Sequence, residues 1–243
     1  VVSGEERASM QVSITVDVEH DCPPFLTTYR GIEQGVPRLL DLLSDEGVKA
    51  TFFSTGDVAR RFPDTIRRIV DGGHELGCHG DTHRRFGALD PTSAKQEIDD
   101  ATRTLRAFYP VTSFRAPNLD FPASYLPFLR EQGYTVDSSE GRHKPGSFFK
   151  RPQVTDGVRR IPASTAPSVL RLPRPIREAV CARLRDPVVL FFHPWEFVDV
   201  THEPIPLDCR FATGQPALDS LRATVRYWKR RGATLARIAD LRD

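Results

Sequence analysis

Two histidines four residues apart, His79 and His83, directly follow the apolar run ELGC at 75–78. Imidazoles at that spacing can face one cation at about 2 Å each. A divalent ion held for catalysis takes three protein ligands and keeps a position open for water, so a third donor is needed. The first β-branched run ends in acids that can supply it. Asp17 and Glu19 lie two apart and share a face if the strand stays regular to its end, whereas His20 and Asp21 lead into the following loop. Two carboxylates in unlike surroundings can divide the work, one ionised on a cation and one free to accept a proton. Arg115 and His193 follow two further apolar runs. The bland alternatives are a polar HGDTH loop with a satisfied buried His79, and a salt-bridged acid cluster at a strand end.

Positioning these residues falls to an alternation of short β-branched runs and helical periodicities, the pattern of an α/β fold with a largely parallel sheet. Strands are expected at 11–18, 49–54, 75–78, 111–114, 135–137, 188–192 and 234–238. The first helix, 32–46, aligns Val36, Leu39, Leu40 and Leu43, with Gly47 as its stop. Asp57 is expected to cap a second helix to residue 71 that carries Val58, Phe62, Ile66, Ile69 and Val70 and is ended by Gly72-Gly73. Further helices are expected at 91–108, 123–132 and 215–231. Residues 140–187, rich in Pro, Gly and Arg, read as irregular structure with a short helix near 177–184, the place for a substrate-shaping insertion. About seven βα units predict a distorted or incomplete (β/α) barrel, in which chemistry sits at the carboxyl ends of the strands. Asp17, Glu19, His79, His83, Arg115 and His193 all fall at such ends.

Composition sets the outer bounds. The chain has 243 residues, 39% hydrophobic and 27% charged, which fits one globular domain with a sizeable core and no disordered majority. The formal charge of +2 comes without a basic face, so no nucleic-acid partner is expected. The one basic group, Arg142, His143, Lys144, Lys150 and Arg151, sits in the irregular segment, where it can attract an anionic substrate. No apolar run approaches the roughly 20 residues of a membrane helix. Residues 1–9, VVSGEERAS, are read as an extension outside the fold, leaving 10–243 as the catalytic domain. Cys22, Cys78, Cys181 and Cys209 show no CxxC spacing and are expected to be free thiols, which points to a cytoplasmic location. His74 fits a turn, and His143 and His202 have no evident partners.

Four segments together resemble a known family, the polysaccharide deacetylases, also called the NodB-homology domain or carbohydrate esterase family four, over about residues 11–240. Thr15-Val16-Asp17 resembles the first motif, with its second acid displaced to Glu19. His79 through His83 is similar to the second. Arg115-Ala116-Pro117 matches the third, and Phe191-Phe192-His193 the last, with Phe for Leu. FFHPWEF and GYTVDSS look like a branch acting on exopolysaccharide or other amino sugars.

The resemblance implies a role for each position. Asp17 would be the general base, and Glu19, His79 and His83 would hold one divalent cation, zinc first, with Co2+, Ni2+ or Mn2+ as alternatives. Arg115 would hold Asp17, and His193 would protonate the departing amine. Asp137 would tune the acid or the arginine, and a backbone N–H near Asn118 would serve the oxyanion. The departures are specific. Glu19 reaches further than the usual aspartate, which keeps Asp21 as an alternative ligand. Asn118 replaces an aromatic, and no tryptophan accompanies Asp137, so the sugar wall must be built differently. Trp195 is either that wall or packed core, and Glu196 either contacts substrate or pairs with an arginine. The implied activity is N-deacetylation of an amino-sugar polysaccharide or conjugate. The alternatives are hydrolysis of another C–N bond (a cyclic ureide, imide or formamide) and an inactive carbohydrate-binding domain.

Overall fold

All eight residues of β1 (Gln11–Val18) are buried in the computed structural model, which describes residues 9–144 and 148–242. A strand covered on both faces is the central member of a parallel sheet flanked by helices. Val12, Ile14, Val16 and Val18 enter the main apolar core under the helices. The alternate residues Ser13, Thr15 and Asp17 therefore turn to the other face, the barrel interior.

A π-helical turn, Gly31–Gly35, leads into α1 (Val36–Asp45). There follow β2 (Thr51–Ser54), α2 (Gly56–Arg61), α3 (Pro63–Asp71), β3 (Glu75–Cys78), α4 (Pro91–Leu105), β4 (Ser113–Phe114), α5 (Leu126–Glu131) and β5 (Val136–Asp137). The second half holds β6 (Gln153–Thr155), β7 (Val158–Arg160), α6 (Pro167–Leu170), α7 (Arg174–Cys181) and β8 (Val188–Phe192). It ends with α8 (Leu207–Arg210), α9 (Gln215–Arg230) and β9 (Thr234–Leu235).

The sheet order is β6-β7-β5-β4-β3-β2-β1-β8, with β9 beside the start of β1, and every pairing except β6 with β7 is parallel. Val18 pairs with Ser54, Ser54 with Cys78, Cys78 with Phe114 and Phe114 with Asp137. The strand ends are thus level, and the residues that follow them emerge on one rim. At the far edge Ser164 N–H donates to Val189 O (2.8 Å), and its hydroxyl accepts from Val189 N–H (2.9 Å). The sheet curls toward itself through this contact rather than through a strand pair, which makes the expected distorted, incomplete barrel in a single domain. At the opposite rim the Glu75 carboxylate plugs the interior, accepting from Thr51 (2.7 Å), Ser113 (2.5 Å) and Ala239 N–H (3.2 Å).

Local chemistry revises several expected elements. The helix expected from 57 to 71 is broken at Phe62 (φ −127°, ψ 56°), because a residue preceding proline is driven out of the helical region and Pro63 starts a new helix. Its cap is Thr55, whose hydroxyl accepts from Val58 N–H, while Asp57 is taken by Tyr29 and Arg61. Residues 140–187 are not simply irregular. Asp156 (φ 50°) and Gly157 (φ 77°) form the two-residue turn of a hairpin whose second strand, β7, adds to β5. The last strand ends at Leu235, and a 3-10 turn replaces its remainder. Of the extension read at 1–9, residues 1–8 lie outside the described residues. Among the described residues no helix is long and apolar enough to cross a membrane.

Candidate active site

Glu19 extends the β1 rim, and His79 is fixed at the end of β3 by its N–H to Ser54 O (2.8 Å). The loop to His83 turns on Gly80 (φ 75°) and is pinned from α4 by Glu97, which accepts from Asp81 N–H and Thr82 N–H (3.0 Å each) and from the Thr82 hydroxyl (2.5 Å). These anchors bring one donor atom each from Glu19, His79 and His83 within 4.8 Å of one another. Glu19 Oε2 is 3.1 Å from His79 Nε2 and 2.5 Å from His83 Nε2.

The tautomer of His79 shows what this cluster suits. Its Nδ1 lies 2.7 Å from Arg115 O, and a carbonyl only accepts, so Nδ1 carries the hydrogen and Nε2 presents a lone pair to the carboxylate. Two lone-pair donors that meet face to face need a proton or a cation between them. Burial opposes a charged Glu19, yet the His83 charge beside it holds it well below the usual carboxylate range. Burial likewise opposes protonation of His83, and Glu19 overrides it upward. One buried carboxylate and two imidazoles form a donor set that fits a divalent cation of zinc type.

Asp17 stands beside this cluster. Its Oδ1 accepts from Arg115 Nη1 at 2.7 Å. The guanidinium is fully buried and also donates to Thr15 Oγ1 (2.8 Å), Ser138 Oγ (2.9 Å) and Ser138 O (3.3 Å). It lies over the Phe53 ring at 4.4 Å. With its partners and its plane both fixed, the arginine leaves Asp17 one orientation.

His193 enters from the end of β8, with Nε2 3.8 Å from Glu19 Oε1. Its backbone N–H (2.8 Å) and Nδ1 (3.0 Å) both meet Glu196 Oε1, so Nδ1 is the donor and Nε2 faces the cluster. Burial disfavours the imidazolium, but the Glu196 hydrogen bond and the charges of Glu19, Glu196 and Asp17 push its pKa up to about 9. Arg171 pairs with Glu196 at 3.0 Å, completing a carboxylate relay behind the imidazole. Asp17, Glu19, His79, His83, His193, Glu196 and Arg171 line one cavity of about 760 Å³, with Arg115 buried behind Asp17.

The remaining expected site residues divide. Glu196 is fully buried and pairs with His193 and Arg171, so it supports the imidazole. Trp195 is 4% exposed and stacks on the His193 ring at 5.1 Å, which makes it the backing of that imidazole. Asp137 reaches neither His193 nor the Arg115 side chain. It pairs with Arg160 (2.9 Å) and holds Ser139, whose hydroxyl accepts from Ala116 N–H (2.8 Å), so it positions the backbone next to Arg115. Asn118 lines the cavity in a left-handed conformation (φ 58°), and its carbonyl accepts from Lys144. Asp21 lies outside the donor cluster, its oxygens accepting from Thr28, Arg30 N–H and Gly31 N–H. His20 packs edge-on against His83 at 5.6 Å, and His74 accepts from Ala50 N–H.

Sequence reading missed several supports. Thr15 was legible, since it lies two residues before Asp17 on the same strand face. Arg171, Ser138 and Glu97 carried no local signal. Of the basic loop, only His143 and Lys144 line the cavity, and His143 stacks on Phe191 at 5.8 Å. Phe191 and His143 thus supply part of the wall that the expected aromatics do not.

A family profile described as "Polysaccharide deacetylase" matches residues 6–136. A peptidoglycan deacetylase of Helicobacter pylori is 33% identical over 112 residues, covering 44% of this chain and 37% of the relative. A chitin deacetylase of Colletotrichum lindemuthianum is 34% identical over 129 residues, covering 50% and 48%. The chain thus spans less than half the length of these curated relatives. Among solved structures, a CE4 family pseudoenzyme from Bacillus anthracis has the same fold, with a TM-score of 0.66 at 19% identity over 97% of this chain and 66% of that one.

Proposed function

Because this chain belongs to the polysaccharide deacetylase family, we propose that it is a metal-dependent hydrolase removing the N-acetyl group from an amino-sugar polymer or conjugate. The observation that carries the reading is the meeting of Glu19, His79 and His83 in one cavity with Asp17 and His193. A fold neighbour described as a pseudoenzyme shows that the scaffold alone does not supply activity. Here Asp17 and His193, proposed as base and acid, share one cavity with the donor set, which argues against an inactive binding domain.

Glu19, His79 and His83 would hold the cation, zinc first with Co2+, Ni2+ or Mn2+ as alternatives. When bound, a divalent cation polarises an amide carbonyl and acidifies water. Asp17 accepts the proton of the attacking water, and Arg115 keeps that carboxylate aimed. The Asn118 N–H donates to the developing oxyanion. His193 Nε2 delivers a proton to the leaving nitrogen, which an amine requires before it departs, and Glu196 stabilises the imidazolium that makes this donation. The half-enclosed cavity keeps bulk water away from these proton transfers.

The test is metal analysis with a substrate screen. The purified protein should take up about one divalent ion, and the double variant His79→Ala, His83→Ala should take up none. N-acetylglucosamine oligomers are the first probes because of the relatives' names, with cyclic ureides as the contrast. Acetate released only from the oligomers supports the reading. Ammonia or ring-opened product from the ureides alone sinks it.

A further inference from the structure

We propose that Cys22 and Cys209 are a thiol pair built into the cavity wall, which closes to a disulfide by exchange with a low-molecular-weight disulfide. Cys22 lies in the loop after β1, three residues beyond Glu19, and Cys209 lies in α8. Both thiols line the cavity that holds Glu19 and His193. They pack in one apolar cluster with Trp195, Val200 and Ile205.

Both backbones are tied down, so the meeting is built in. The Cys22 carbonyl accepts from Phe25 N–H (2.9 Å), and the Asp21 carboxylate staples the start of that loop to Arg30 N–H and Gly31 N–H. On the other side Arg171 donates to the carbonyls of Asp208 (2.7 Å), Cys209 (2.9 Å) and Phe211 (2.6 Å). Cys78 and Cys181 lie apart in the main core, where burial pushes their thiols up to about 12 and about 11.

The pair is also asymmetric. Cys209 is part-exposed, whereas Cys22 is buried. The accessible thiol is the one that meets an incoming disulfide and attacks it. The Cys209 thiolate attacks one sulfur of the incoming disulfide, forming a mixed disulfide and releasing a thiolate. That thiolate takes the Cys22 proton, and Cys22 Sγ then attacks Cys209 Sγ and displaces the second thiol. Two protein thiols and one small disulfide become one protein disulfide and two small thiols. The new bond fastens the loop leaving the Glu19 strand end to the opposite element, α8.

Oxidised glutathione with the full chain tests this without reference to deacetylation. Intact-mass spectrometry should show wild type lighter by two hydrogens and free of adduct, with a Cys22–Cys209 linked peptide in a non-reducing digest. Cys22→Ser should accumulate one glutathionyl group on Cys209, and Cys209→Ser should react at least about tenfold more slowly. A stable glutathione adduct on wild type, a linkage through Cys78 or Cys181, or wild-type reactivity in Cys209→Ser would each overturn the proposal. The wild-type digest alone decides the linkage if a variant does not fold.

Discussion

The Asp17–Arg115 pair gives the sharpest test of how the barrel interior holds a base. At 2.7 Å and an effective dielectric near 20, the gross attraction is about 6 kcal/mol, and the cost of desolvating two buried charges cancels much of it. Removing only the arginine keeps the cost and discards the attraction. Arg115→Met should therefore destabilise the fold by about 3–5 kcal/mol, because Asp17 is left buried without a counter-charge and Ser138 and Thr15 lose their donor. Asp17→Asn should cost less, since an amide oxygen still accepts from Nη1. The double variant Asp17→Asn, Arg115→Met should be more stable than the sum predicts, with a coupling of about 2–3 kcal/mol in a double-mutant cycle. Urea unfolding at neutral pH, monitored by tryptophan fluorescence, measures all four proteins. A coupling below about 0.5 kcal/mol would mean that Arg115 is held by its stacking on Phe53 and its hydroxyl partners, and the account of Asp17 orientation would fall. Arg115→Lys should not rescue, because an ammonium cannot reproduce the planar fork.

Three further outcomes are expected. Asp17→Asn should keep its divalent ion yet lose about 10²–10⁴-fold in kcat on the best acetylated substrate, and full turnover would remove Asp17 as base. His74 has its pKa lowered by burial to about 4, so its neutral form contributes stability above pH 6.5 that is lost as pH falls through the folded value. The full span is about 3 kcal/mol, and urea midpoints of His74→Gln should fall less than those of wild type between pH 7 and 4.5. Equal slopes would refute that linkage. Glu19→Asp should weaken zinc binding by at least on the order of tenfold in competition with a chromogenic chelator, and unchanged affinity would show that β1 adjusts to the shorter side chain.

The sheet was legible because its strands are buried on both faces and read as short apolar runs between helical periods. The hairpin was missed although its turn residues Asp156-Gly157 were visible, since β6 is largely exposed and carries no buried alternation. Pro63 was equally visible as a helix stop, and the apolar spacing across it hid the break. The rim residues stood out because each lies at the carboxyl end of a strand or in the loop that leaves it. Their supports did not, because Glu97, Ser138 and Arg171 reach the site through tertiary approach from 78, 119 and 152 residues beyond Glu19, and no local period records that.

Glu19 was the least secure ligand by comparison with the usual aspartate, and the geometry explains the substitution. The interior face of β1 carries Thr15 and Asp17, and Arg115 binds both, which fixes how deep that face sits. The next residue on the same face must then reach from the strand end to two imidazoles anchored on a different loop. One extra methylene lets a single oxygen approach His79 and His83 at 3.1 and 2.5 Å. An aspartate would withdraw it by about 1.5 Å, the length of one C–C bond. Asp21, closer in type to the usual residue, is instead spent on the backbone donors of Arg30 and Gly31 that hold the loop shut. The longer acid is therefore the one compatible with this strand depth, and residue type alone would have chosen the wrong position.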